Sequence, residues 1–272
     1  MSTMPTLWIT GDSFSEIKPN DINYNVWSIK LSKKIKHNLA NQSLAGVSQD
    51  WCWSIIQTNQ HEITTNDQLI VVLTDAARFW FFEDIPSLSN SRIIDFENVA
   101  GSDRSEAASG YFKYIQRPAL DIQMLGHRLG WLNNLSTVKG WKKPIIILGF
   151  DQYIPDQDHY TNLIFSNGTL ADVAWHEEIT GSLDVRGWDT RYNHMCLTNH
   201  EILSEKLANA ILYNTPIDLK SEFLTQIYCN QLIFDDSKSA QELDMSMVNK
   251  FREALPLEKT EHVPFYKRVF SK

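Results

Sequence analysis

The sequence predicts an α/β fold: a three-layer, doubly wound parallel sheet with a C-terminal helical extension. Three observations carry that expectation. Two runs, Leu69-Ile70-Val71-Val72-Leu73 and Pro144-Ile145-Ile146-Ile147-Leu148-Gly149, are apolar at successive positions, as strands covered on both faces are. Segments with apolar residues at helical spacing alternate with them, the pattern of strand–helix–strand units. A further apolar run, Leu7-Trp8-Ile9-Thr10, ends directly in Gly11-Asp12-Ser13-Phe14-Ser15. In open parallel sheets, ligands bind beyond the carboxyl ends of the strands, which is where this turn would stand.

Taken in order, Trp27, Leu31 and Ile35 recur every four residues and predict a helix over roughly 25–36. His37 to Ala45 reads as a second strand that ends at Gly46-Val47-Ser48, and a short helix through Trp53, Ile55 and Ile56 follows. The turn residues Asn66-Asp67 introduce the strand at 69–73. Residues 84–111, rich in Ser, Asp, Asn and Gly, read as a long surface insertion, and insertions of that length are often functional. Leu125, Leu129 and Leu132 mark a helix ending near Thr137-Val138-Lys139-Gly140, and 150–190 read as irregular. Thr198 and Glu201 have the spacing of a capping box, ahead of a helix with Leu203, Leu207 and Ile211, beside Ala208 and Leu212, as its buried stripe.

Beyond Pro216 the pattern changes. Phe223 with Ile227, then Leu243, Met247, Phe251 and Leu255, suggest two amphipathic helices parted by Asp235-Asp236-Ser237. The expected division is therefore an α/β domain at 1–215 and a helical extension with a tail at 216–272. The end, from His262 to Phe270, is aromatic and basic within an acidic chain. It reads as a segment packed on its own domain, with a docking tail for a second subunit or a particle partner as the alternative.

Composition narrows the classes. A chain of 272 residues, 43% hydrophobic and 21% charged, can bury a full core. A net charge of −8 argues against nucleic acid or an anionic membrane surface as partner. Cys52, Cys196 and Cys229 form no disulfide framework and suit a reducing compartment. The N-terminus lacks the features of a signal peptide, and there is no apolar run of about 18 residues that would cross a bilayer. The expected location is the cytoplasm, or a virus particle if the chain is phage-encoded.

A serine hydroxyl attacks well only when a positioned base takes its proton and preorganised donors hold the oxyanion. Ser13 is the candidate nucleophile. His194, in Asn193-His194-Met195-Cys196-Leu197-Thr198-Asn199-His200, is a candidate base in the approach to a helix. His194, Cys196 and His200 match no usual structural zinc spacing, and His176-Glu177-Glu178 is not His-Glu-x-x-His because residue 180 is Thr. No metal is expected.

Three stretches, in this order between residues 11 and 200, resemble the blocks of the SGNH (GDSL-type) serine hydrolase family. Gly11-Asp12-Ser13-Phe14-Ser15 resembles the nucleophile block, Asn41-Gln42-Ser43-Leu44-Ala45-Gly46-Val47-Ser48 the second block, and His194 with the helix after it the last. The resemblance implies a flavodoxin-like fold and hydrolysis of an ester without a cofactor. It further implies Ser13 as nucleophile, His194 as base, and the amides of Ser13 and Gly46 as oxyanion donors. Two departures stand out. The third block, Gly-x-Asn-Asp, is replaced by Leu73-Thr74-Asp75-Ala76-Ala77-Arg78-Phe79, which leaves Thr74, or Arg78 reaching back, as the donor in place of Asn, unless Arg78 pairs with Asp75. The family's Asp three residues before the base is here Arg191, so Asp189 is the nearest acid to orient His194, with a dyad or a degenerate site as the alternatives.

The family includes acetyl-carbohydrate esterases, lipases, lysophospholipases and thioesterases. Nine tryptophans bear on that choice. Trp51, Trp53, Trp80 and Trp188 fall in segments expected at the active end of the sheet. Aromatic platforms there, with Trp51, Trp80 and Trp188 as the candidates, suit sugar rings or acyl chains, and the reading leans to O-acetyl groups on carbohydrate over long-chain lipid. The rival expectation is a binding or structural protein on the same fold with a weakened site. Members with a Thr/Arg third block resemble bacteriophage or environmental bacterial proteins, so a phage particle component that recognises surface glycans is its sharpest form.

Overall fold

The computed structural model describes residues 4–17, 26–76, 78–80, 88–89, 102–174, 195, 197–213 and 215–223. Its strands are β1 (Thr6–Thr10), β2 (Asn38–Asn41), β3 (Gln68–Leu73), β4 (Arg78–Phe79), β5 (Leu88–Ser89), β6 (Ile145–Leu148), β7 (Ile164–Thr169) and β8 (Ile217–Asp218). Its α-helices are α1 (Trp27–Ile35), α2 (Gln49–Asn59), α3 (Ser102–Tyr114), α4 (Pro118–Lys139) and α5 (Leu197–Tyr213). Six strands form one sheet in the order β2-β1-β3-β6-β7-β8, with every pair parallel. The chain starts in the middle, steps outward to β2, and returns across β1 to β3. This reversal is the switch point of a doubly wound sheet, and it places the crevice for a ligand beyond β1 and β3.

Side-chain alternation along the strands builds the layers. Ile70 and Val72 of β3, with Ile145 and Ile147 of β6, face one core with Trp27, Leu31 and Ile35 of α1 and Leu203 and Leu207 of α5. Leu69, Val71 and Leu73, with Ile146, face the other, against Cys52, Trp53 and Ile56 of α2 and Leu125, Leu129 and Leu132 of α4. Both faces of the central strands are covered, which is why Leu69–Leu73 of β3 and Ile145–Leu148 of β6 show no polar positions. At about 25 cal/mol per Å² of apolar surface removed from water, two such cores are the main stabilising term.

Several sequence expectations need correction. The stretch 84–111 is not without structure: β5 pairs antiparallel with β4, and α3 begins at Ser102. The helix is hidden because buried Ala108 and Phe112 sit among Ser, Asp and Gly. The stretch 150–190 contains β7, whose Ser166, Asn167 and Gly168 break the apolar pattern and whose register against β6 shifts between Ile146 and Leu148. Thr198 lies inside α5 rather than at its cap, and the Glu201 carboxylate turns away to Lys30 and Lys34 of α1. Leu212 is exposed at the end of α5. The boundary expected at 215/216 falls before β8, and the core takes in Ile217, Leu219 and Phe223 beyond it. The two helices and tail expected from Ile227 onward lie outside the described residues.

Candidate active site

The turn that carries Ser13, the candidate nucleophile, is shaped from within. After β1, the N–H groups of Ser15 and Glu16 both donate to the carbonyl of Asp12 at 3.0 Å, and the Phe14 N–H donates to Asp12 Oδ1 at 3.1 Å. An aspartate side chain accepting from the backbone two residues on is a local alternative to regular structure, and it sets the turn. Gly11 is obligatory at the entrance, because a Cβ there would stand 2.4 Å from Ser15 Oγ and 2.6 Å from Val72 Cβ. Ser13 is left half-buried at the tip. Neither its hydroxyl nor its amide has a hydrogen-bond partner among the described residues.

The loop carrying Gly46 is fastened to this turn. The Leu44 N–H donates to Gly11 O at 3.1 Å, the Ala45 N–H to Glu16 Oε1 at 3.1 Å, and Asn41 Nδ2 to Ser15 O at 2.6 Å. Gly46 itself has φ +75°, a conformation that favours glycine, and a Cβ on it would meet nothing within 4 Å. Its amide has no partner among the described residues. The first two blocks, separated in sequence, thus form one structural unit.

The third block reaches the same unit through Asp12. The carboxylate is 1% exposed, and its Oδ2 accepts the hydroxyl proton of Thr74 at 2.7 Å. Arg78 Nη1 donates to Thr74 Oγ1 at 2.9 Å and reaches Asp12 Oδ2 at 3.4 Å. Thr74, fully buried, has its one hydroxyl proton committed to Asp12, which leaves the hydroxyl none for an oxyanion. Arg78 keeps Nε and Nη2 uncommitted among the described residues. Its guanidinium also lies 5.9 Å from the Phe150 ring centroid, and Phe150 meets Phe14 edge-on at 5.4 Å. The cation therefore stands at the Ser13 turn with a buried counter-charge, an arrangement that could stabilise a negative charge developing there.

His194, Asp189 and Trp188 lie outside the described residues. Nearby His200 is buried at the head of α5, where its Nδ1 accepts from the N–H of Trp27 at 3.3 Å and ties α5 to α1. Trp51 and Trp80 come together with ring centroids 5.7 Å apart, whereas Trp53 is core. Cys52 is no rival nucleophile: burial, then the Asp12 charge, pushes its thiol up to about 12. Among the described residues no group of His, Cys, Asp and Glu could hold a metal ion, and no helix is long and apolar enough to cross a membrane.

Sequence reasoning missed Gln49, Asp50 and Arg128. Gln49, 5% exposed, donates from Nε2 to Thr74 O at 3.0 Å and to Gln152 Oε1 at 2.8 Å, joining α2 to the loops after β3 and β6. Asp50 is paired with Arg128 of α4. An acid in the first turn of a helix was the one local cue for Asp50, and it reads as a favourable charge at a helix N-terminus. Nothing local marks its partner.

No protein-family model matches this chain, and no curated protein does. Among solved structures it is similar to "a putative lipolytic protein of G-D-S-L family from Desulfitobacterium hafniense DCB-2", at 11% identity over 75% of this chain and 98% of that one, with a TM-score of 0.41. It is similar too to "a putative SGNH hydrolase from Slackia heliotrinireducens", at 9% identity over 77% and 100%, with a TM-score of 0.39. A third is TesA, at 14% identity over 74% and 94%, with a TM-score of 0.34.

Proposed function

We propose that this chain is a divergent SGNH-type serine esterase that hydrolyses ester bonds, with O-acetyl groups on carbohydrate as its substrate class. One observation carries the reading: among the described residues, the hydroxyl and amide of Ser13, the amide of Gly46 and two nitrogens of Arg78 are all uncommitted within one hydrogen-bonded unit at the sheet's switch point.

In the proposed reaction, Ser13 Oγ attacks the ester carbonyl carbon while His194 takes the hydroxyl proton. The amides of Ser13 and Gly46, with the Arg78 guanidinium in place of the family's Asn, hold the oxyanion. Thr74 serves the oxyanion through Arg78, whose direction it fixes. His194 returns the proton to the departing alcohol, leaving an acyl group on Ser13. Water then attacks that acyl group with His194 taking its proton, the bond from Ser13 Oγ to the acyl carbon breaks, and His194 returns the proton to Ser13 Oγ as the acid leaves. Asp189 orients His194, and Trp188 joins Trp51 and Trp80 in carrying the sugar. An oxyanion donor of this kind typically contributes on the order of 10²–10³ in rate.

The test is labelling with a fluorophosphonate probe. Wild-type protein is expected to be labelled, and Ser13→Ala and His194→Ala are each expected to lose the label while melting near the wild-type temperature. A folded wild-type protein that stays unlabelled overturns the enzyme reading. It would favour the rival: a binding or structural protein of the same fold, such as a particle component that recognises surface glycans.

A further inference from the structure

Three consecutive residues after β3 are anchored in three directions. Arg78 turns to Thr74 and Asp12. Phe79 packs against Tyr111 and Phe112 of α3, with centroids 5.3 and 5.7 Å away. Trp80 lies beside Trp51, tilted by 48°. Alternation along an extended segment puts Arg78 and Trp80 on one side and Phe79 on the other. The oxyanion cation and the second tryptophan of the platform are therefore set by the same few residues.

The tryptophan pair is held by a carboxylate. Asp50 Oδ2 accepts from the backbone N–H of Trp80 at 3.2 Å, and Asp50 Oδ1 pairs with Arg128 Nη2. Asp50 directly precedes Trp51 in α2, so one side chain joins both rings of the pair to α4. The other edge of Trp51 is fixed by its Nε1–H, which donates to Gln42 O at 3.2 Å in the loop that carries Gly46. Asp50 and Arg128 are each 25% exposed, too open for the pair to act chiefly as a stability device. Charge-assisted hydrogen bonds of this kind still fix geometry well, and a platform fixed in advance binds with less loss of freedom.

We infer that Asp50 is the positioning residue of an aromatic sugar-binding subsite. With Arg128 holding its carboxylate, it sets the spacing and tilt of Trp51 and Trp80 so that the rings present apolar faces to the C–H face of the leaving-group sugar. The identity of that ligand rests on the reading proposed above. The position of the pair does not. Asp50 takes no part in proton transfer or in holding the oxyanion, so its effect falls on binding of the sugar.

The experiment is a tryptophan-fluorescence titration of Ser13→Ala protein with an O-acetylated xylo-oligosaccharide, which reads binding without turnover. Adding Asp50→Asn, which drops the charge, is expected to weaken Kd about tenfold. Arg128→Met is expected to do the same and Arg128→Lys less, so the test survives if Asp50→Asn does not fold. In catalytically competent protein the same changes are expected to raise KM for the oligosaccharide by a like factor, with kcat lowered less than about twofold. A Kd unmoved by these substitutions, a loss confined to kcat, or no binding by the parent would each overturn the subsite. Binding without fluorophosphonate labelling of wild-type protein would overturn the esterase and leave the subsite standing.

Discussion

Two buried aspartates bracket the same pair of strands, and in the function proposed above only one of them serves chemistry. Asp67 stands just ahead of β3 and accepts from the N–H of Thr6, the first residue of β1, at 2.6 Å. Its other oxygen takes the amide and hydroxyl of Thr64 at 2.8 and 2.9 Å. Asp12 stands just beyond β1 and accepts from Thr74, just beyond β3. Each carboxylate thus stitches β1 to β3, one at the amino end of the sheet and one at the carboxyl end. The difference is in the donors. Asp67 is satisfied by neutral groups, whereas Asp12 also holds a guanidinium whose Nε and Nη2 are uncommitted among the described residues. Similar burial and similar topology therefore serve anchorage at one end and, in our reading, polarisation of a substrate at the other.

Substituting Asp12 should break the comparison most visibly. In Asp12→Asn the side chain keeps its shape but loses the charge opposite Arg78, and its NH₂ faces groups that are themselves donors. A fall in kcat/KM on the order of 10²–10³ is expected, as for loss of an oxyanion donor. A stability loss of about 2–4 kcal/mol in urea unfolding should accompany it, towards the lower part of what breaking a buried pair costs because Arg78 is 21% exposed. A variant that loses stability but turns over ester at the wild-type rate would show that Asp12 is only a turn former.

Asp67→Asn is the matched control and a smaller effect. The expected loss is about 2 kcal/mol of stability, with kcat/KM within about twofold of wild type. Burial alone would push the Asp67 carboxyl up, but the donors from Thr6 and Thr64 outweigh it and hold the group below its ordinary value of 3.8. A depressed folded-state value means that the contribution is present above 3.8 and is lost as pH falls through the lower, folded-state value. The advantage of wild type over Asp67→Asn should accordingly be constant near neutrality and shrink in acid. A gap that stays the same at pH about 2.5 would mean the ionised carboxylate is not its source.

What could be read from the sequence follows the range of the interactions. The turn at Gly11–Ser15 and the strand at 69–73 were legible because their determinants are neighbours: a glycine with no room for a Cβ, an aspartate capping its own turn, and a β-branched run covered on both faces. The Gly46 turn was legible through its resemblance to a second block, but residues 42–45, read as the end of a strand, lie in the loop after β2, which stops at Asn41. β7 was not, because a strand near the edge of the sheet can carry Ser166, Asn167 and Gly168 once only part of it is buried. The task of Arg78 was left open between Asp75 and the oxyanion, and its partner proved to be Asp12, distant in sequence and adjacent only after β1 and β3 pair. Asp50 and Arg128 meet only when α4 packs beside α2.

The smallest effect tests whether a charge outside the sheet does anything comparable. Glu201 of α5 was expected to cap its own helix and instead bridges Lys30 and Lys34 of α1. Burial opposes its ionisation, yet the hydrogen bonds from the two lysines prevail and hold its carboxyl below the ordinary 4.5. Lys34 is correspondingly raised above 10.5, with its hydrogen bond to Glu201 the leading cause. The clamp should thus contribute between these limits, fading in acid as pH falls through the folded-state value of Glu201 and in alkali as pH rises through that of Lys34. Because Glu201 is 37% exposed, Glu201→Gln is expected to cost no more than about 1 kcal/mol at neutral pH, and less in 1 M salt, where the screening length is about 3 Å. Urea unfolding of wild type and variant at low and high salt measures it. Unlike Asp12, Glu201 has only exposed or partly exposed partners and water to replace them, so activity should not change. A loss that persists in high salt and at pH about 3 would assign the effect to packing between α1 and α5 rather than to charge.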